Sequence, residues 1–484
     1  MKKTSFSANR VALAVAVICA GASVPAFAQV EAKVTGRVQF DVRNQSNPFA
    51  ASSDKDTASV ADNFEIRRAR IGVSGTVNND IAYEVVGNAV GSSTNFVDTA
   101  FANYGFNKAA QFRAGRFKQP FSLEELTSSN SIDFMERSYG NQIIPGKRLG
   151  LMLHGEPMKG LNYGISVFQD NFTESSNSNS MGSNSAMRLA FNGAELGKME
   201  NTVLHLGVAK TSGKAQAVPT TSGDTAKAAA QGTRATIVAL RSENRGLSNV
   251  FRAQIAGDSV GTPGYGIAAN NVINIDKDLT GLELALARGP FKLQMENFDS
   301  EYKASGTTVA YKAATTMPAS YDTRVKAQYV EFMYNITGEE WSKAYKGGAF
   351  SGISPKSVFM KDYGGVVGNG IGAWQVGVRQ SSYSAEASNS VDGVSKVHGR
   401  TVSYPSSTTL SYVAPTSTVG NRTQNSNKAK TTTYALNWIM NNNARVMLNY
   451  AETAFDTKVE ALDGGTGKLM DKERVISLRT QVNF

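Results

Sequence analysis

The chain has 484 residues, 41% of them apolar, with a formal net charge of +10 and a single cysteine. Beyond residue 28 no stretch approaches the roughly 18 consecutive apolar residues of a membrane helix, so any membrane crossing must be made by strands closed into a barrel, which leaves no backbone group unpaired in hydrocarbon. The basic excess alone excludes little, because nucleic acids and bacterial surfaces are both anionic.

In chain order, Met1-Lys2-Lys3, an apolar run from Val11 to Ala20 and then Ala26-Phe27-Ala28 before Gln29 give the charged, apolar and small-residue order of a secretory signal peptide. Cleavage is expected after Ala28, leaving residues 29–484 as one domain; loss of Lys2, Lys3 and Arg10 lowers the net charge to +7. Cys19 follows Ile18 rather than the small residue a lipoprotein site needs, and its removal leaves no cysteine for a disulfide.

Segments of about ten residues with alternating polarity then recur, separated alternately by short and long connections, the pattern of an outer-membrane barrel. Sixteen are predicted, over residues 32–44, 63–76, 80–90, 97–106, 109–117, 148–155, 160–169, 185–194, 201–211, 279–288, 290–300, 324–336, 370–383, 430–440, 443–453 and 473–484. The fold class is therefore an all-β, transmembrane, antiparallel sixteen-stranded barrel. Short turns such as Asn78-Asn79-Asp80, Asn107-Lys108, Arg288-Gly289-Pro290 and Asn441-Asn442-Asn443 alternate with long polar loops, and an even strand count puts both termini on the periplasmic side. In the last strand Ile476, Leu478, Thr480, Val482 and Phe484 share one face, opposite Ser477, Arg479, Gln481 and Asn483. The terminal Phe484 resembles the signal read by the outer-membrane insertion machinery.

Three connections depart from the short-and-long scheme. Residues 118–147 contain Glu124-Glu125-Leu126-Thr127, a short helical possibility, and are expected to fold inward as a constriction loop. Residues 212–278 carry Arg234, Arg241, Arg245 and Arg252 and could fold inward too, while 337–369 is long for a periplasmic turn. The Ser- and Asn-rich stretch Asn171 to Ser185 reads as surface loop.

Arginine on a lipid face costs about 2 to 4 kcal/mol at mid-membrane, so the polar face of each strand should line the lumen. Strand parity assigns Arg37, Arg43, Arg68, Arg70, Arg113, Arg379, Arg445 and Arg479 to it, against Asp41, Glu84, Asp98, Glu283, Glu296 and Glu331. Parity turns Arg67 to lipid unless a bulge intervenes. Arginine suits a path for oxyanions because its planar donors can grip two oxygens and keep their charge; the more ordinary reading is that these arginines pair with lumen acids and stiffen the barrel. An enzyme would need an activated nucleophile with an oriented base. His154, His205 and His398 show no triad-like or metal-ligand spacing, and Gly364-Gly365-Val366-Val367-Gly368 lacks the strand-to-helix setting of a phosphate cradle. No catalytic residue, cofactor or metal is expected, and the expected partners are small anions and outer-membrane lipid, not nucleic acid. The competing classes are a general anion or organic-acid pore, a barrel hydrolase and a purely structural barrel.

Several stretches together resemble the phosphate- and polyphosphate-selective porins O and P: Ile66-Arg67-Arg68-Ala69, Phe96-Val97-Asp98, Gly115-Arg116-Phe117, Glu124-Glu125-Leu126-Thr127-Ser128-Ser129 with Glu136-Arg137, Thr337-Gly338-Glu339 with Ile353-Ser354-Pro355-Lys356, Gly372-Ala373-Trp374 and Leu436-Asn437-Trp438. They span most of the mature chain in order. The resemblance implies a homotrimer of barrels with inward-folded segments, a central arginine pair at Arg67 and Arg68, and a constriction-zone aspartate at Asp98. Where those phosphate porins carry a lysine after Thr-Ser-Ser, this chain has Asn130, so the resemblance implies an anion pore in which phosphate is favoured only modestly.

Overall fold

The computed structural model describes residues 30–46, 62–90, 96–169, 184–217, 234–245, 250–256, 273–311, 315–359, 370–391, 394–398, 426–460 and 469–484. The expected signal peptide, most of the Asn171 to Ser185 loop and the glycines 364–368 lie outside the described residues, as do the side chains of Arg234 and Arg252.

Sixteen strands form the wall: β1 (Val30–Ser46), β2 (Asp62–Val77), β3 (Ile81–Asn88), β4 (Val97–Gly105), β5 (Gln111–Lys118), β6 (Lys147–Met158), β7 (Leu161–Phe168), β8 (Asn184–Asn192), β9 (Thr202–Ala217), β10 (Ile273–Arg288), β11 (Phe291–Tyr311), β12 (Thr315–Asn335), β13 (Ala373–Val391), β14 (Lys428–Ile439), β15 (Ala444–Glu460) and β16 (Leu469–Asn483). Each pairs antiparallel with its chain neighbours, and β1 pairs with β16 from Arg37 opposite Asn483 to Ser46 opposite Arg474, so the barrel is closed. The backbones of Gly36 and Phe484 extend that seam by two hydrogen bonds, 2.8 and 3.0 Å. A Cβ at residue 36 would fall 2.1 Å from the Phe484 ring, so the glycine makes room for the terminal aromatic.

All sixteen predicted strands are present. β9 to β12 run well past their predicted ends, as in the β11–β12 ladder, which continues to Tyr311 opposite Thr315. Alternation in the sequence marks only where lipid lies on one face, whereas backbone pairing continues beyond it. On the outer wall β12 presents Tyr334, Phe332 and Val330 before Gln328, and β9 presents Leu206 and Val208 before Lys210. At the end that carries the termini, Trp374 stacks on Trp438 at 5.4 Å and Phe291 on Tyr334 at 4.7 Å, an aromatic girdle of the kind found at a membrane–water boundary.

The lumen is filled unevenly, because three connections fold into it and pack against β9 to β15. Phe121, Tyr139 and Ile143 of the 118–147 loop cluster with Phe298, Val325 and Tyr383 of the wall. The same cluster takes Leu240 and Phe251 from a hairpin of Arg234–Leu240 and Phe251–Ala256, so the 212–278 connection also turns inward. The long connection after β12 enters from the end of the termini. A 3-10 turn at Trp341–Ala344 and a small hairpin at Tyr345–Phe350 pack with Leu123 and Phe134 of the 118–147 loop, and Trp341 is tied to Gly289 and Pro290 of a short turn. Burial of each large side chain here stabilises the arrangement by roughly 1.5 to 3 kcal/mol.

Candidate functional site

Two bulges bring the expected arginine pair and aspartate into the lumen. In the β1–β2 ladder Gln39 faces Arg68 and Phe40 faces Ile66, so Arg67 is the extra residue and turns inward beside Arg68. In the β3–β4 ladder Val86 faces Thr99 and Gly87 faces Val97, which leaves Asp98 as the extra residue. Regular alternation in β4 turns Asn103 and Thr99 to the lumen, and Asp98 joins them, on the side expected of it, through its bulge.

The loop between β5 and β6 crosses the barrel, and its helical turn Leu123–Leu126 is held at both ends. Glu296 of β11 accepts from the backbone N–H groups of Leu123 and Glu124 at 2.9 and 2.7 Å, and Ser122 caps Glu125. At the other end Lys118 and Arg137 donate to the carbonyls of Glu124, Glu125, Leu126 and Thr127, the cation arrangement a helix C-terminus favours. The loop then reaches β16 and β1, where Arg479 donates to the Met135 carbonyl, Gln481 to that of Asn130, and Arg37 to the Asn130 side-chain oxygen.

Glu136 is the main electrostatic anchor of this loop. It pairs with Arg67 through two hydrogen bonds and lies near Arg43 and Arg479, at 3.1 and 3.3 Å. Burial alone would raise its carboxyl, but Arg67, Arg479 and Arg43 outweigh burial and hold it well below the usual carboxylate range. Glu125 is likewise held low, because Arg137 and Lys118 outweigh its burial.

Between this loop and the wall formed by β1 to β8 lies a cavity of about 1130 Å³. β1 and β2 contribute Arg37, Arg68 and Arg70, and β5 contributes Arg113, Arg116 and Lys118. β6 adds Lys147 and Arg148, Arg137 comes from the loop, and Arg188, Lys108 and Lys346 stand toward the end of the termini. These twelve cations face four carboxylates, Glu84, Asp98, Glu125 and Glu156. Asp98 is engaged by Arg70 at 2.6 Å and by Lys147. Among the described residues Arg37, Arg68 and Arg113 form no ion pair; their partners are the amide oxygens of Asn130, Gln39 and Asn103.

The remaining predicted arginines do not border this cavity. Arg479 is fully buried on Asp41 at 2.7 Å, Arg43 joins Asp41, Glu65 and Glu136, and Arg379 bridges Glu124 and Glu243. Arg445 donates to the Ile132 carbonyl. Each ties a strand to an inward-folded segment or a neighbouring strand. Sequence parity could not separate the two sets, because both face inward, and although Asp41 and Glu65 lie on strands, the partners Glu124, Glu136 and Glu243 lie in loops without periodicity. Lys118 and Lys147 fall one residue outside the predicted strands 109–117 and 148–155, and Arg137 lies in the loop between them, so parity assigns none of the three.

His154 and His205 have ordinary partners, and the side chain of His398 lies outside the described residues. His154 meets Asn103 at 2.7 Å, and His205 is buried between the Tyr345 hydroxyl and Glu283 at 2.6 and 3.0 Å. Among the described residues no cluster of three or more His, Cys, Asp or Glu could hold a metal ion.

The family model described as phosphate-selective porin O and P matches residues 32–484, nearly the whole chain. The chain belongs to this porin family. It is accordingly an outer-membrane porin. Solved structures similar to this porin include OmpT of Vibrio cholerae in its trimer form, at 8% identity and a TM-score of 0.45 over 94% of this chain and 99% of that one. The channel DcaP of Acinetobacter baumannii is similar at 10% identity and a TM-score of 0.47 over 94% and 97%, and OprB of Pseudomonas putida at 8% and 0.46 over 94% of each. No curated protein sequence matches the chain.

Proposed function

We propose that this porin is an anion-favouring diffusion pore that admits phosphate among other small anions without strong discrimination. The observation that carries the reading is the cavity with twelve cationic side chains against four carboxylates, three of its arginines without an ion-pair partner among the described residues. Low-dielectric walls focus such a field and raise the local anion concentration, while several moderate donors in sequence let an anion leave as readily as it enters. In this reading Arg37, Arg68, Arg70 and Arg113 act on the passing ion and Asp98 moderates the local field. Arg43, Arg67, Arg379, Arg445 and Arg479 act indirectly, by holding the loops that shape the path. Asn130 hydrogen-bonds Arg37 but supplies no charge of its own to a multiply charged anion.

Further parts of the reading are cleavage after Ala28, delivery through the terminal Phe484 to the insertion machinery, assembly as a homotrimer, and passage of solute without chemical conversion. The reversal potential of the purified porin in a potassium chloride gradient tests the central claim. A chloride-directed potential supports it and a potassium-directed one overturns it. A high-mass band in unheated detergent gels that collapses on heating is the outcome expected of the trimer.

A further inference from the structure

The cavity is not uniformly polar. Along β1 and β2 its wall is arginine, whereas the stretch from β4 to β7 sets half-buried Phe101 and Tyr163 beside its cations, and Leu126 and Pro120 of the constriction loop face the same space. Arg113 stands at the centre of that stretch, its guanidinium carbon 4.4 Å from the centre of the Phe101 ring. Its Nε donates to Asn103, whose amide is fixed in turn by Gln111 and His154. Glu84 lines the same cavity but forms no ion pair with Arg113, and among the described residues no acceptor meets its outer guanidinium nitrogens, which leaves them to a solute.

An inorganic anion gains nothing from an apolar wall, and a passage of about 1130 Å³ is far roomier than one phosphate requires. A guanidinium laid on an aromatic ring keeps its charge and its in-plane donors, and it offers them beside apolar surface that only an apolar solute body can cover. We infer that the β4 to β7 side of the cavity is a subsite for organic carboxylates with an aromatic or other apolar body, with Arg113 holding the carboxylate and Phe101, Tyr163 and Leu126 covering the body. Inorganic anions then follow the Arg37, Arg68 and Arg70 side, and the two solute classes use different walls of one cavity. This inference rests on the anion-pore reading and adds a substrate class to it.

Chloride conductance of the assembled porin in planar bilayers, with benzoate, acetate or phosphate added, tests the subsite. Covering part of one ring face should make benzoate reduce the chloride current at about a tenfold lower concentration than acetate. Phe101→Ala should bring benzoate to the acetate level and leave phosphate unchanged; Phe101→Leu, which keeps most of the volume, guards against a folding defect and should give an intermediate value. Arg113→Gln should weaken benzoate and acetate together. Equal effects of benzoate and acetate on the unmodified porin, or a phosphate effect that moves with Phe101 as far as benzoate does, would overturn the subsite. A potassium-directed reversal potential would instead defeat the anion pore itself, so the two failures are distinguishable.

Discussion

Arg67 and Glu136 face each other through two hydrogen bonds, Nε to Oε1 at 3.0 Å and Nη2 to Oε2 at 3.2 Å, so the bulged residue of β2 grips the constriction loop from the opposite wall. Arg68, one residue on, points into the cavity and among the described residues donates to Gln39 alone. Neighbouring arginines therefore serve a loop and a passage respectively. Arg67→Ala is expected to give larger and noisier single-channel currents with little change in reversal potential. A reversal potential that shifts as far as in Arg68→Ala would assign both residues to the passage.

The same anchor predicts a pH dependence. Glu136 and Glu125 lie below the ordinary glutamate value of about 4.3, each because neighbouring cations outweigh burial. A carboxyl with a depressed folded value contributes stability that is complete above its unfolded value and is lost as pH falls through the folded one. The contribution of Glu136 and Glu125 to loop anchoring should thus be constant from about pH 5 to 8, and the noise that they suppress should rise only below about pH 4. Noise that grows between pH 6 and 8 would point to other groups.

Arg68→Ala should lower the anion-to-cation permeability ratio about threefold, the equivalent of roughly 0.6 kcal/mol for one half-buried charge that faces the passage, and raised salt should shrink the effect by screening. Asn130→Lys acts in the opposite direction: it replaces the acceptor for Arg37 with a second cation at the loop tip. Phosphate should then reduce the chloride current at about tenfold lower concentration, because charge-assisted bonds to a multiply charged anion are stronger than neutral ones. Titration of phosphate against chloride current checks both, and tight phosphate block with Asn130 in place would remove the basis for modest selectivity.

The wall was legible in the sequence because a lipid-facing strand must alternate, and β16 does so from Ile476 to Phe484. What the wall encloses was only partly legible. Arg67, which parity turns to lipid, reaches the lumen through a bulge that shifts register by one residue, and Asp98 keeps its expected side through a bulge rather than by alternation with Thr99 and Asn103. The division of inward arginines into clamps and lining depends on Glu124, Glu136 and Glu243, whose loop positions carry no period; their place opposite Arg379, Arg67 and Arg479 is set by the path of two folded-in connections. The connection after β12 looked merely long, and its hairpin is fixed by partners remote in sequence, such as Arg188, which donates to the Gly348 carbonyl at 2.8 Å.

Arg379 gives the sharpest test of the clamp assignment. It is buried, pairs with Glu124 of the constriction loop at 3.1 Å and with Glu243 of the second inward connection at 2.6 Å, and stands 4.6 Å from the centre of the Phe134 ring. Removing one member of a buried ionic cluster leaves uncompensated charge and typically costs about 3 to 5 kcal/mol, whereas replacing every member with neutral side chains costs much less. Arg379→Met alone should lower the temperature of heat denaturation in detergent and release both loops, giving larger, unstable currents. Burial pushes the Glu243 carboxyl above its usual range despite Arg379, so Glu243→Gln should be the mildest single change. Combining Arg379→Met with Glu124→Gln and Glu243→Gln should restore much of the lost stability while leaving the reversal potential near that of the unmodified porin, because none of the three charges is a free cation of the cavity. A reversal potential that falls in Arg379→Met and stays low in the triple variant would place Arg379 on the anion path instead.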